Sequence, residues 1–163
     1  TTAMAEFFKY LNGNLNGVKT SADLFGLATV NYDGLGIGQL IEEAYKTFDY
    51  VSPMVYPSHY AKGFQGYSNP AAYPYEVVNY SMTRAVARLN TLRNATGTGP
   101  VVYAELRPWL QDFDLGADYT ADMVRAQIKA TYDADTNLGW MLWDPRNNYT
   151  KGALTQHISE ETE

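Results

Sequence analysis

The sequence contains no cysteine, which excludes disulfides, thiolate nucleophiles and cysteine-based metal sites. Histidine is scarce as well, because the chain has two, His59 and His157, and they lie far apart without the short spacing typical of zinc sites. The G-x-S-x-G motif of serine hydrolases is missing, and the glycines near residue 36 do not complete a dinucleotide-binding loop. We therefore expect neither a metal centre nor a cofactor.

Positive charge is also in short supply. Twelve Lys and Arg residues face 18 Asp and Glu residues, for a net charge of -6, which argues against a nucleic-acid partner. No apolar run approaches the roughly 20 residues of a membrane span, and the segment TTAMAEFFKYLNG does not resemble a signal peptide.

Tyrosine is what the sequence has in abundance, with 14 copies. Its flat ring and hydroxyl group suit the binding of hydroxyl-rich ligands, although packing at the edge of a core would also account for many tyrosines. The length of 163 residues allows one domain with a substantial core, and we expect a single domain over 1–163 with its core in 18–150.

Hydrophobic periodicity predicts alternating helices and strands. The predicted helices span 3–12, 37–48, 75–93 and 120–134, the last capped by Thr120. The predicted strands span 18–26, 50–56, 101–107 and 138–143. Such alternation predicts an α/β fold with a mostly parallel sheet, whose ligand site lies beyond the carboxyl ends of the strands.

Three segments rich in aromatic and hydrogen-bonding residues occur where predicted strands end. They are YVSPMVYPSHY at 50–60, ELRPWLQDF at 105–113 and GWMLWDPRNNY at 139–149. Parallel strands would bring them to one shared site. Four βα units are half of a (β/α)8 barrel, which needs about 250 residues. The chain could be a carboxyl-terminal half-barrel, an open four-stranded sheet, or a half-barrel that pairs with a second copy.

Several of these strings resemble the carboxyl-terminal half of the DUF4015 glycosyl hydrolase family within the TIM-barrel glycosidases. The matching strings are SADLFG at 21–26, GIGQ at 36–39, DYVSPMVYPSHY at 49–60, PYEVV at 74–78, RPWLQDF at 107–113 and GWMLWDPRNNY at 139–149. The resemblance implies strands five to eight of a TIM barrel, a carbohydrate substrate, and an extracytoplasmic or cell-surface location. The family's preceding strand, similar to FDYVRFP, supplies an acidic residue and would lie before residue 1. We therefore expect either a homodimer or an amino-terminal half-barrel as partner.

Glycosidic bond cleavage uses two carboxyl groups that flank the bond. Asp23 is the first candidate for a catalytic or transition-state-stabilising carboxylate, because strand alternation places it near the end of the first strand. The alternative is a structural Asp that caps a loop or pairs with Arg107. Glu105 is the second catalytic candidate, and its alternative is an ion pair with Arg107.

The candidate substrate-binding residues carry stacking or hydrogen-bonding groups near strand ends: Tyr56, His59, Arg107, Trp109, Gln111, Trp143 and Asp144. The two tryptophans could stack on a sugar ring or pack in the core. The tyrosine, histidine and glutamine could bind sugar hydroxyls, and the arginine could hold a carboxylate or phosphate. The aspartate precedes a proline, as in many ordinary turns.

Three functional hypotheses follow from these residues. The first is a glycoside hydrolase domain that acts on a polysaccharide or oligosaccharide through carboxylate chemistry. The second is a non-catalytic carbohydrate-binding domain on a partial barrel. The third is an unrelated open α/β domain whose aromatic residues are structural.

Overall fold

The computed structural model describes residues 2–15, 17–95, 102–135 and 137–154. Helices alternate with the strands of one parallel sheet. The helices span Thr2–Asn14 (α1), Ile41–Tyr45 (α2), Pro74–Ala95 (α3) and Ala121–Ala134 (α4). The strands span Ser21–Phe25 (β1), Tyr50–Met54 (β2), Glu105–Leu106 (β3), Trp109–Gln111 (β4) and Met141–Trp143 (β5).

The strands lie side by side in the order in which they occur in the chain. β1 pairs with β2, β2 pairs with both β3 and β4, and β4 pairs with β5, and every pair is parallel. This sequential order is that of a barrel wall and differs from the reversed order of doubly wound sheets. The predicted fold class is therefore confirmed as α/β with a parallel sheet, and the arrangement is consistent with a partial TIM-like barrel.

The third predicted strand differs in extent from the observed one. The strand begins at Glu105 rather than at 101, a residue outside the described part of the chain, and it continues to Gln111. Pro108 divides it into β3 and β4, because proline has no N–H to donate to a neighbouring strand. Val102, which lies within the predicted strand, precedes the observed one and is 89% exposed.

The second predicted helix, 37–48, is shorter in the structure, where α2 spans Ile41–Tyr45. Gly36 and Gly38 have φ values of +68° and +81°, which a right-handed helix cannot accommodate. The other three helices lie within two residues of their predicted bounds. As predicted, Thr120 caps α4, since its side chain accepts the N–H of Met123.

The two faces of the sheet differ in burial. On one face, Leu24, Val51, Leu106 and Leu110 are at most 2% exposed and belong to the core formed with the helices. The opposite face, called the open face below, carries exposed or half-buried side chains: Ser21, Asp23, Phe25, Tyr50, Met54, Glu105, Arg107, Trp109, Met141 and Trp143. This difference in burial determines which strand residues can contact a ligand.

A buried arginine ties α3 to α2 and to the turn after β1. Arg88 is 4% exposed, and its Nε and Nη2 donate to the two carboxylate oxygens of Glu42, both at 2.6 Å. Its Nη1 donates to the backbone oxygens of Ala28, Thr29 and Asn31. Because the charge is fully hydrogen-bonded, it can be buried, and it fixes the turn that follows β1.

Within the part of the chain that the structure describes, none of the helices combines the length and apolar character needed to cross a bilayer.

Candidate functional site

Five polar or aromatic side chains meet at the carboxyl ends of the strands, on the open face. They come from β1, the loop after β2, β4, β5 and the loop after β5: Asp23, Tyr56, Trp109, Trp143 and Tyr149. Four of them were predicted from the sequence as site residues, and the structure brings these four together. We call this group the strand-end cluster.

Asp23 is the carboxylate of the strand-end cluster. Its side chain is exposed, and its Oδ1 accepts the indole N–H of Trp109 at 3.1 Å. Among the described residues, its Oδ2 accepts no hydrogen bond, and no ion pair joins Asp23 to Arg107. The indole orients the carboxylate and leaves one oxygen free, so the structure does not contain the alternative of an Asp–Arg pair.

Two tryptophans form the apolar wall beside this carboxylate. The rings of Trp109 and Trp143 lie 6.0 Å apart at an interplanar angle of 81°, an edge-to-face contact. Trp109 is half-buried, and Trp143 is 41% exposed. Trp143 therefore retains free aromatic surface against Trp109, the residue that contacts Asp23, and core packing does not account for it.

Tyr56 contributes a hydrogen-bond donor from the loop after β2. Its ring is 5% exposed and is held by edge-to-face contacts with His59 at 5.2 Å and Phe113 at 5.5 Å. Burial, and then the nearby Asp23 carboxylate, raise the pKa of its hydroxyl well above the ordinary range. The phenol therefore stays protonated and can donate. His59, which is exposed, supports the Tyr56 ring from the side.

Glu105 lies at the other end of the sheet from the strand-end cluster. It stands opposite Tyr50, the first residue of β2, and lines a cavity of about 300 Å³ with Lys19 and Asp49. Strand geometry places its Cα about 12 Å from that of Asp23, two strands away and two residues toward the amino ends. No ion pair joins it to Arg107, and its catalytic role remains a prediction that this geometry does not favour.

Gln111 lies inside the protein, although strand alternation assigns it to the open face. It is 0% exposed, its Oε1 accepts the N–H of Ser58 at 3.1 Å, and its Nε2 donates to the backbone oxygen of Phe113 at 2.9 Å. Its backbone also exchanges two hydrogen bonds with the side chain of Gln127. Gln111 thus joins the loop after β2 to β4, and it has no free group for a sugar.

Asp144 is also buried, at 1% exposure, and it organises the loop after β5. Its Oδ1 accepts the N–H groups of Arg146 at 2.6 Å and Asn148 at 3.4 Å, as in the Asp-Pro turn that was the alternative to ligand contact. The neighbouring Asp112, 3% exposed, accepts the N–H of Thr150 at 2.8 Å. These two carboxylates position Tyr149 at the strand-end cluster.

Tyr149 is the member of the strand-end cluster that sequence reasoning missed. It is 37% exposed, and it lies near enough to Tyr56 to contribute to the raised pKa of that hydroxyl. The signal that could have identified it is its place at the end of the third decorated segment, GWMLWDPRNNY. Arg107, the last predicted site residue, lies on the open face level with Ser52, with its guanidinium 4.3 Å from the centre of the Tyr50 ring.

The cavities do not all coincide with this site. A cavity of about 540 Å³ lies against α4 and is lined by Ile128, Tyr132 and Trp140. An apolar groove of about 330 Å³ adjoins the strand-end cluster and is lined by Phe25 and His59, among others. The described residues contain no group of three or more His, Asp or Glu side chains arranged to hold a metal ion.

Comparison with known proteins gives one match. The family model described as "DUF4015: Putative glycosyl hydrolase domain" matches residues 1–149, which is most of the 163-residue chain. No curated protein and no solved structure matches. The family match confirms the resemblance inferred from the sequence and removes the alternative of an unrelated α/β domain. The chain belongs to the DUF4015 family.

Proposed function

We propose that this chain is a glycoside hydrolase domain that acts on a polysaccharide or oligosaccharide at the strand-end cluster. The observation that carries the proposal is the exposed Asp23 carboxylate, which has one oxygen free and is joined through Trp109 to the exposed ring of Trp143. Carboxylate chemistry next to an aromatic surface is what cleavage of a glycosidic bond requires.

Four of the five cluster residues have a role in this proposal. Trp143 stacks on the C–H face of a sugar ring, and Trp109 holds the Asp23 carboxylate in place. The transition state of glycoside hydrolysis resembles an oxocarbenium ion. The Asp23 carboxylate therefore either stabilises this positive charge or acts as the nucleophile that bonds to the sugar carbon as the leaving oxygen departs. Tyr56 donates a hydrogen bond to a sugar oxygen, because its raised pKa keeps the hydroxyl protonated.

The remaining predicted binding residues act through position in this proposal. His59 braces the Tyr56 ring, Gln111 joins two segments of the site, and Asp144 shapes the loop that carries Tyr149. The buried pair cannot contact a sugar without rearrangement, since Gln111 and Asp144 are at most 1% exposed.

A second carboxyl group is needed, and we propose that a barrel-completing polypeptide supplies it. Among the described strands, β1 pairs only with β2 and β5 pairs only with β4, so both outer edges are free for parallel pairing. The four βα units would then correspond to strands five to eight of the barrel. The completing polypeptide is either an amino-terminal half-barrel or a second copy, and sedimentation equilibrium distinguishes a dimer from a monomer.

A second candidate function is carbohydrate binding without hydrolysis. The observation in its favour is that Asp23 is the one carboxylate in the strand-end cluster, whereas hydrolysis needs two. In this case Trp143 and Tyr56 keep their roles in binding, and Asp23 serves as a hydrogen-bond acceptor for sugar hydroxyls.

The test is release of reducing ends from a panel of polysaccharides. The unchanged protein is compared with Asp23→Asn and with Asp122→Asn, a matched control on the exposed first turn of α4. We expect release that disappears with Asp23→Asn and persists with Asp122→Asn. Release that survives Asp23→Asn would refute the assignment of Asp23. Sugar binding with no release from any of the three proteins would favour the binding-domain alternative.

A further inference from the structure

The open face carries one arginine whose charge has no carboxylate partner. Arg107 makes no ion pair with any described residue, and its Nε is buried without a hydrogen-bond acceptor. Arg88, by contrast, is a buried arginine in which each of the three guanidinium nitrogens donates to a carboxylate or to a backbone oxygen. The two Nη groups are not buried and donate no hydrogen bond to a described residue, so Arg107 has capacity for an anionic ligand.

The position of Arg107 is fixed by its neighbours. The carbon of its guanidinium lies 4.3 Å from the centre of the Tyr50 ring, a cation–π contact that holds the group on the open face. It stands two residues before Trp109 on the same line of chain, about 7 Å along the strand. Arg107 and the tryptophan pair are therefore separated along the strand by roughly one sugar ring.

We propose that Arg107 forms a subsite for the carboxylate of an acidic sugar, so that the substrate of this domain contains uronic acid residues. The inference rests on the proposed function of the strand-end cluster as a sugar site. A carboxylate matches the guanidinium fork with two parallel hydrogen bonds, which the two Nη groups would donate because they are not among the buried nitrogens. The neighbouring sugar ring would then lie on Trp109 and Trp143.

The experiment measures binding rather than turnover. The probes are trigalacturonate and its methyl ester, which differ in charge and little in shape, and calorimetry gives the affinity of each. The unchanged protein is compared with Arg107→Gln and with Arg84→Gln. Arg84 is the matched control, because it also stacks on a tyrosine, Tyr80 at 5.2 Å, but on the exposed surface of α3.

We expect the unchanged protein to bind the acid at least about tenfold more tightly than the ester, as a charge-assisted hydrogen-bond pair provides. Arg107→Gln should remove this preference, and Arg84→Gln should keep it. Equal binding of acid and ester by the unchanged protein would overturn the inference, and so would a preference that survives Arg107→Gln.

The outcome separates this inference from the proposed hydrolysis. Asp23→Asn should keep the preference for the acid, since that carboxylate takes no part in it. A preference for the acid without any release of reducing ends supports the subsite, and it contradicts hydrolysis where sedimentation equilibrium shows that a second copy completes the barrel. Release from neutral polysaccharides, with no preference for the acid, supports hydrolysis and overturns the subsite. In that case Arg107 would pair with a carboxylate of the barrel-completing polypeptide.

Discussion

Replacing Gln111 by leucine tests whether this residue supports the site or contacts a sugar. The substitution keeps most of the side-chain volume and leaves the backbone hydrogen bonds to Gln127 in place. It removes an acceptor from the N–H of Ser58 and a donor from the backbone oxygen of Phe113. Leaving a buried polar group unpaired costs about 1–3 kcal/mol, so the two together lower the free energy of unfolding by about 2–6 kcal/mol.

Urea denaturation measures this loss. With an m-value of about 2 kcal/mol/M, a loss of about 4 kcal/mol lowers the urea midpoint by about 2 M. The matched control is Gln65→Leu, at an exposed glutamine in the loop after β2, which should leave the midpoint nearly unchanged. A shift for Gln111→Leu no larger than that of the control would refute the reasoning. Unchanged stability with lost sugar binding would instead support the ligand contact predicted from the sequence.

Four further predictions concern the wall of the site, its support and the pH dependence of stability. Trp143→Ala should weaken sugar binding about 2- to 12-fold, the equivalent of one aromatic contact of about 0.5–1.5 kcal/mol, with little change in Tm because the ring is 41% exposed. Gly26→Ala should lower the free energy of unfolding by about 1–3 kcal/mol, because the new Cβ would lie 2.5 Å from the backbone oxygen of Met54. Urea denaturation would show this as a lower midpoint. Arg88→Met should cost about 3–5 kcal/mol by leaving Glu42 without its partner. Burial raises the pKa of Glu42, but the hydrogen bonds from Arg88 outweigh this effect and hold the pKa below its ordinary value of 4.5. The unchanged protein should therefore lose stability as pH falls below that value. The Glu42→Gln variant should lose less stability over the same pH range.

The contrary results are equally specific. A large fall in Tm for Trp143→Ala would mean that the ring serves packing. A stable Gly26→Ala protein would show that the turn after β1 can shift to admit a methyl group. Identical pH dependence of the Glu42→Gln variant and the unchanged protein would mean that the ion pair with Arg88 does not set the acid limit.

Periodicity predicted most of the fold because the buried faces are built from regularly spaced apolar residues. The helix that becomes α3 was predicted within two residues at each end, and its stripe includes the buried Val78, Met82, Ala85 and Leu89. Periodicity failed where backbone conformation outweighs side-chain pattern. The two glycines with positive φ values delay the start of α2, and Pro108 divides the third predicted strand into β3 and β4.

The candidate site was predictable to the extent that it depends on strand ends alone. Asp23, Trp109 and Trp143 follow from alternation and from the rule that parallel strands end at one edge. Glu105 could not be placed without the register, which sets it opposite the first residue of β2. The burial of Gln111 could not be predicted either, because it depends on the loop after β2 folding back over the end of β4.

The tryptophan pair has a practical consequence for following this protein in solution. The chain has three tryptophans, and Trp109 and Trp143 both lie in the strand-end cluster, while Trp140 donates to the hydroxyl of Tyr132 on α4. A ligand that covers Trp143 removes water from its indole and should shift its fluorescence emission to shorter wavelength. With Trp140→Phe, both remaining tryptophans would lie at the site, and the tryptophan emission would report ligand binding without an added label.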